Sequence, residues 1–364
     1  MAPLPDMATL LDPATLLDRI RRDVDRASVR TRNGLKHLAG VGRPEVGCSP
    51  KDVVWERDKV KLYRYRSANR RIRPPLLLVM SLVSKPYVLD LRPGNSFIEA
   101  LVARGFDVYS LDWGIPDAVE SQNTFETYCD EYLPLASVAV LRESRSDELT
   151  VFGYCFGGVL SLLFAAGHPE IPIRSLAVMA TPIDFGVMGT TSSLLRDGRL
   201  DPATLLDETG NVPARTVLDG LKTLQATGDI TTYASLLNNL DNSEYIAAHQ
   251  ALNGWASDHI PFPGACFLQT AEWFMKENRL AENRVVTKNR ALDIGSISCP
   301  VLNVVGDADH IVTLASNLPI LDLLPHAEDL HFRAGHVGLI VGKSAQRNSI
   351  PGMADWMEAH SVVS

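Results

Sequence analysis

A chain of 364 residues, 46% hydrophobic and 21% charged, fits two domains or one large α/β domain with an insertion, and this composition excludes disordered, collagen-like and coiled-coil architectures. Its 35 Lys and Arg against 43 Asp and Glu leave a net charge of −8, which argues against nucleic-acid binding through the surface as a whole. The five cysteines are scattered and odd in number, with no C-x-x-C pair, so neither a disulfide framework nor a zinc site is expected and a reducing cytosol is the natural compartment.

The first residues, MAPLPDMATLLDPATLL, lack the basic start and continuous apolar stretch of a secretory signal, so no export is expected. Within residues 1–50, apolar spacing at Leu16, Leu17, Ile20, Val24 and Leu35 predicts one or two exposed amphipathic helices. The alternation from Val60 to Arg66 predicts a strand running into a basic turn with Arg70, Arg71 and Arg73, read as a solvated edge hairpin rather than a phosphate site. Short apolar runs then recur at Leu76–Met80, Asp107–Leu111, Leu149–Gly153, Leu176–Ala180 and Val301–Val305. Mostly separated by helix-length segments, they predict an α/β fold with a mostly parallel sheet covered on both faces. The charge-free run from Leu149 to Pro169 is interrupted by Gly153, Gly157 and Gly158, and reads as a buried strand, turn and helix, not a membrane span. Residues 184–292 change character, with a helical pattern from Ala265 to Leu280 among Gly and Pro turns, and are read as an inserted, mainly helical cap. The core is then 51–183 with 293–364, closing on a helix around Gly352 to His360.

The stretch Gly153-Tyr154-Cys155-Phe156-Gly157-Gly158, between an apolar strand and a helical run, is a G-x-C-x-G nucleophile elbow with sulfur in place of the usual Ser oxygen. Glycines two before and two after the central residue relieve the crowding of so sharp a turn. The helix starting after Cys155 directs its positive end at the sulfur and favours thiolate, and the backbone N–H of Phe156 is an oxyanion donor. A second donor is expected from the loop after an early strand, at Val83.

In the α/β-hydrolase order the nucleophile is followed by an acid and then a His. Asp309, in Gly306-Asp307-Ala308-Asp309-His310, is preferred over Asp307 as the acid. His336, between Gly335 and Gly338, is the best base of the nine histidines, with His310 the alternative. His168 reads as a helix C-terminal residue, Asp112 as structural, and Cys266 as a buried small side chain. Trp255, Asp258, His259 and the turn 261–267 read as cap core or as the lining of an acyl channel. No P-loop, dinucleotide fingerprint or H-E-x-x-H is present, so no nucleotide, nicotinamide or metal cofactor is implied.

A thiolate exchanges with a thioester in a nearly balanced reaction, which points to an acyl thioester substrate and to acyl transfer. The residues resemble the polyhydroxyalkanoate synthases, cysteine enzymes that polymerise 3-hydroxyacyl-CoA, through Leu82-Val83-Ser84-Lys85-Pro86-Tyr87, Leu111-Asp112-Trp113-Gly114, the elbow, Thr181-Pro182-Ile183-Asp184-Phe185, Pro300-Val301-Leu302-Asn303, Asp309-His310-Ile311-Val312 and Gly335-His336-Val337-Gly338. The resemblance implies Cys155 as the acyl-carrying nucleophile, His336 as general base and Asp309 as its orienting partner. It also implies CoA as a leaving group and not a cofactor, a growing polyester chain, a catalytic homodimer, a non-catalytic partner subunit of the kind used by the shorter synthases, and residence at cytoplasmic polyester granules. A thiol-dependent hydrolase of the same fold, a thioesterase or polyester depolymerase, is the alternative reading.

Overall fold

The computed structural model describes residues 21, 24, 28–33, 44–224, 239–287 and 290–363. Two compact units divide the chain, Met1–Glu45 with Thr227–Gly254 and Val46–Ala226 with Trp255–Ser364. In the smaller one, residues 28–33 are helical and Asn33 Nδ2 donates to Leu240 O at 2.9 Å. The expected apolar positions Leu16, Leu17, Ile20 and Leu35 lie outside the described residues.

The larger unit is built on one sheet. Its strands are β1 (Lys51–Arg57), β2 (Val60–Tyr65), β3 (Ile72–Val79), β4 (Phe106–Asp112), β5 (Leu149–Tyr154) and β6 (Ile173–Met179). The two-residue pair β7 (Val285–Val286) and β8 (Ala291–Leu292) stands apart, and β9 (Val301–Gly306), β10 (Glu328–Phe332) and β11 (Val362–Val363) complete the main sheet. The order is β1-β2-β4-β3-β5-β6-β9-β10, with β11 on β3. From β4 to β10 neighbouring strands are parallel. Leu76, Leu77, Leu78 and Val79 are all fully buried, as consecutive residues must be when a parallel sheet is covered on both faces. Pro74 and Pro75 have no N–H to give, and the β3/β4 register shifts between Ile72 and Leu76, where they stand.

Two sequence expectations need correction here. β2 is an inner strand between β1 and β4, so Val60–Tyr65 is not an edge strand, whereas the basic turn that follows it is exposed at Arg66, Arg70 and Arg73. Arg64 Nε and Nη2 bind the Asp107 carboxylate at 3.0 and 2.8 Å, and Arg70 Nε stands 3.0 Å from it. The edge belongs to β1, whose KDVVWER sequence is too polar to announce itself as a strand. The helix expected from Ala265 to Leu280 is α-helical only at Gly264–Gln269 and continues as a wider π-turn over Thr270–Lys276.

Helix α1 (Phe97–Arg104) starts where Ser96 Oγ accepts from Glu99 N at 2.9 Å and stops at Gly105, whose φ of +102° suits glycine. Helices α2 (Leu133–Ser144) and α3 (Phe156–Gly167) pack on β3 and β5. Between β6 and β9 come α4 (Gly189–Arg196), α5 (Ala214–Leu224), α6 (Ser243–Ala256) and α7 (Gly264–Gln269), and α8 (Ile350–Ala359) packs against α1. Among the described residues no helix is long and apolar enough to cross a membrane.

Candidate active site

Open parallel sheets gather their chemistry outside the carboxyl ends of the strands. There β5 leads into Cys155, the loop after β9 carries Asp309, the loop after β10 carries His336, and β3 runs into Met80–Val83.

The elbow is set by close backbone contacts. Cys155 adopts φ +56° and ψ −125°, a conformation costly for a side chain and held by its surroundings: its N–H donates to Met179 O, and its carbonyl accepts from Gly158 N, both at 2.9 Å. A Cβ on Gly157 would stand 2.2 Å from Val79 O, and one on Gly158 1.9 Å from Thr181 Oγ1, so the head of α3 can reach the sheet only through glycine. As the first residue of α3, Phe156 has no preceding helical turn to receive its N–H.

Asp309 is 5% exposed. Its Oδ1 accepts from the backbone N–H of Ile311 and Val312 at 2.8 and 2.9 Å, and its Oδ2 stands 2.7 Å from His336 Nδ1. Asp307 instead faces His331 Nδ1 at 2.8 Å on the surface, and His310 is exposed. His336 is buried, with its ring centroid 5.2 Å from that of Tyr154. Tyr154 Oη donates to His336 O at 3.1 Å, tying the backbone of His336 to the residue before Cys155. The elbow motif left position 154 free, so sequence reasoning gave Tyr154 no role. Burial opposes a charge on His336, but the Cys155 sulfur and the Asp309 carboxylate facing the ring outweigh it and raise its pKa from 6.5 to about 10. An imidazole so placed can hold a proton between sulfur and carboxylate.

Cys155, Phe156 and Val83 line one cavity of about 220 Å³. Its far wall is apolar, with Met188 before α4, Val217, Leu221 and Leu224 on α5, and Phe262 and Phe267 around the start of α7. The loop carrying Val83 is braced from 255–260: Ile260 N donates to Val83 O at 3.2 Å, Trp255 Nε1 to Lys85 O at 3.0 Å, and Lys85 Nζ to Asp258 Oδ1 at 2.7 Å. Trp255, Asp258 and His259 thus meet the core loop, whereas Phe262 and Phe267 reach the cavity. His168 ends α3 bound to Asp130 and Glu170, and Cys266 is fully buried. Among the described residues no group of three or more His, Cys, Asp or Glu side chains is placed to hold a metal.

A family model for the α/β-hydrolase fold matches residues 75–343, and the chain is an α/β-hydrolase-fold protein. A second model, for the N-terminus of poly-beta-hydroxybutyrate polymerase (PhaC), matches residues 14–101. The poly(3-hydroxyalkanoate) polymerase subunit PhaC of Allochromatium vinosum is 31% identical over 350 residues, 93% of this chain and 97% of that one. That of Haloferax mediterranei is 30% identical over 360 residues, 96% and 73% of the two chains. The chain belongs to the PhaC polymerase family. A thermophilic esterase from Thermogutta terrifontis shares the fold at a TM-score of 0.51, with 14% identity over 86% of this chain and 98% of that one.

Proposed function

We propose that this protein is a poly(3-hydroxyalkanoate) polymerase that forms a covalent acyl-cysteine at Cys155. The Cys155 sulfur attacks C1 of a 3-hydroxyacyl-CoA, the bond from C1 to the CoA sulfur breaks, and the departing thiolate takes the proton held by His336. A 3-hydroxyl, from a second acyl group or from the end of the growing chain, then gives its proton to His336 as its oxygen attacks the acyl-Cys155 carbonyl, lengthening the ester and freeing the sulfur. Asp309 orients the imidazole and balances its charge, while the N–H groups of Phe156 and Val83 receive the oxyanion.

The observation that carries this reading is the position of Cys155, at the head of α3 and in the wall of an apolar cavity, with His336 facing its sulfur and Asp309 2.7 Å behind the imidazole. Membership of the polymerase family favours chain growth over the thioesterase or depolymerase alternative. The same reading keeps residues 184–292 as an inserted cap, 51–183 with 293–364 as the core and 1–50 as an N-terminal helical segment, of which 1–20, 34–43 and 225–238 lie outside the described residues, and the apolar cavity wall excludes the water that would hydrolyse the acyl-enzyme. No cofactor is needed, since CoA only leaves. The partners are a second copy of the chain and a non-catalytic subunit, at the surface of cytoplasmic polyester granules. Incubation with 3-hydroxybutyryl-CoA, following thiol release while the products are sized, tests the reading: polymer supports it, and free hydroxy acid as the sole product overturns it in favour of the hydrolase.

A further inference from the structure

One hydroxyl beside this site has no partner. Ser81 is 2% exposed, its Oγ makes no hydrogen bond, and it lines the same cavity as Cys155, Val83 and Phe156. Among the described residues it alone combines a place in that cavity with a buried polar side-chain atom left unpaired. Neighbouring contacts fix its backbone: Met80 O accepts from Trp113 Nε1 at 2.9 Å, and Gly157 is pressed against Val79 and Met80. A rigid, buried hydroxyl without a partner is costly for the empty protein, and the cost is recovered when a ligand supplies the missing hydrogen bond.

We propose that Ser81 is a specificity-determining residue that hydrogen-bonds the 3-hydroxyl of the bound acyl group. The assignment rests on the acyl-Cys155 reading and deepens it. The oxyanion forms at C1 near the N–H groups of Val83 and Phe156, and C3 is only two bonds away, so the group that reads C3 must stand close to those donors. Ser81 precedes Val83 by two residues on the same loop. The remaining lining is largely apolar and holds the rest of the acyl chain without polar demands. A serine hydroxyl both donates and accepts, as does the hydroxyl it would meet, whereas a substrate with a plain methylene at C3 would leave Ser81 unpaired.

The test is first-turnover acylation, read as CoA released per enzyme and as acyl-Cys155 mass, with (R)-3-hydroxybutyryl-CoA and with butyryl-CoA. Neither readout requires chain growth, so the analogue lacking the 3-hydroxyl is a fair competitor. The wild type is expected to favour the hydroxylated substrate by at least about threefold, the scale of one neutral hydrogen bond, and Ser81→Ala to erase that preference by slowing the hydroxylated substrate alone. Because the variant removes an unpaired buried atom, its thermal midpoint should not fall. Equal slowing of both substrates, or an unchanged preference in the variant, overturns the assignment while leaving acylation of Cys155 in place. A wild type that acylates with neither substrate overturns the function reading itself, and this assignment with it.

Discussion

His336 Nδ1 stands 2.7 Å from Asp309 Oδ2, while the other oxygen of the same carboxylate accepts the N–H groups of Ile311 and Val312. The backbone therefore fixes the carboxylate and leaves one oxygen for the imidazole. Asp309→Asn keeps the shape and loses the charge, and an amide nitrogen turned toward Nδ1 would select the wrong tautomer. First-turnover CoA release should fall by about 10²–10⁴-fold in this variant. Asp307→Asn, which touches only the surface pair with His331, should stay within about threefold of wild type in the same assay.

The same geometry gives a pH dependence of stability. The Cys155 sulfur and the Asp309 carboxylate raise the pKa of His336 in the folded protein to about 10, from an ordinary value of 6.5. Stability from the His336 proton is fully present below about 6.5, declines as pH rises and is lost once the folded-state value is passed. Urea midpoints of wild type and His336→Gln, measured from pH 6 to 10.5, should therefore converge as pH rises. A gap that widens toward alkaline pH would contradict the assignment of charge.

Gly158 and Thr181 meet at the seam between α3 and the end of β6, where a Cβ on the glycine would lie 1.9 Å from Thr181 Oγ1. Gly158→Ala must displace either the fully buried threonine or the head of the helix. It should cost about 3 kcal/mol of unfolding free energy by denaturant titration. Acylation should fall as well, because the displaced helix carries the N–H of Phe156. Adding Thr181→Ser, which removes a methyl but keeps the hydroxyl, should restore little of the loss.

Much of this arrangement was legible in the chain. The runs Leu76–Met80, Leu149–Gly153 and Val301–Val305 each mark a buried parallel strand, because burial on both faces demands consecutive apolar residues. The elbow glycines could be read because the steric need acts between near neighbours. What stayed hidden depends on distant parts of the fold. β1 is half polar because one side of it is wet, and without β1 the strand β2 looks like an edge. The preference for Asp309 over Asp307 agrees with the structure, where the return of the chain from β10 brings Asp309 against His336; that Asp307 is taken up by His331 was not legible. The missing partner of Ser81 follows from tertiary burial, which no local pattern of serine encodes.

Within the basic stretch, Arg64 and Arg70 share one largely buried carboxylate. Asp107 binds Arg64 through both oxygens and meets Arg70 as well, with its side chain only 10% exposed. Asp107→Ala leaves Arg64, 17% exposed, without its main carboxylate. Stability should drop by about 2 kcal/mol, read by chemical denaturation, with acylation of the folded fraction unchanged. A loss of acylation at full stability would instead point to a ligand role for these arginines.

The most direct test of the account is intact-protein mass spectrometry after brief mixing with 3-hydroxybutyryl-CoA, with CoA release recorded in parallel. Wild type should gain 3-hydroxybutyryl units mapping to Cys155 as CoA appears, and Cys155→Ala should show neither the adduct nor the release. CoA release that continues in Cys155→Ala, or an adduct mapped to another residue, would contradict it.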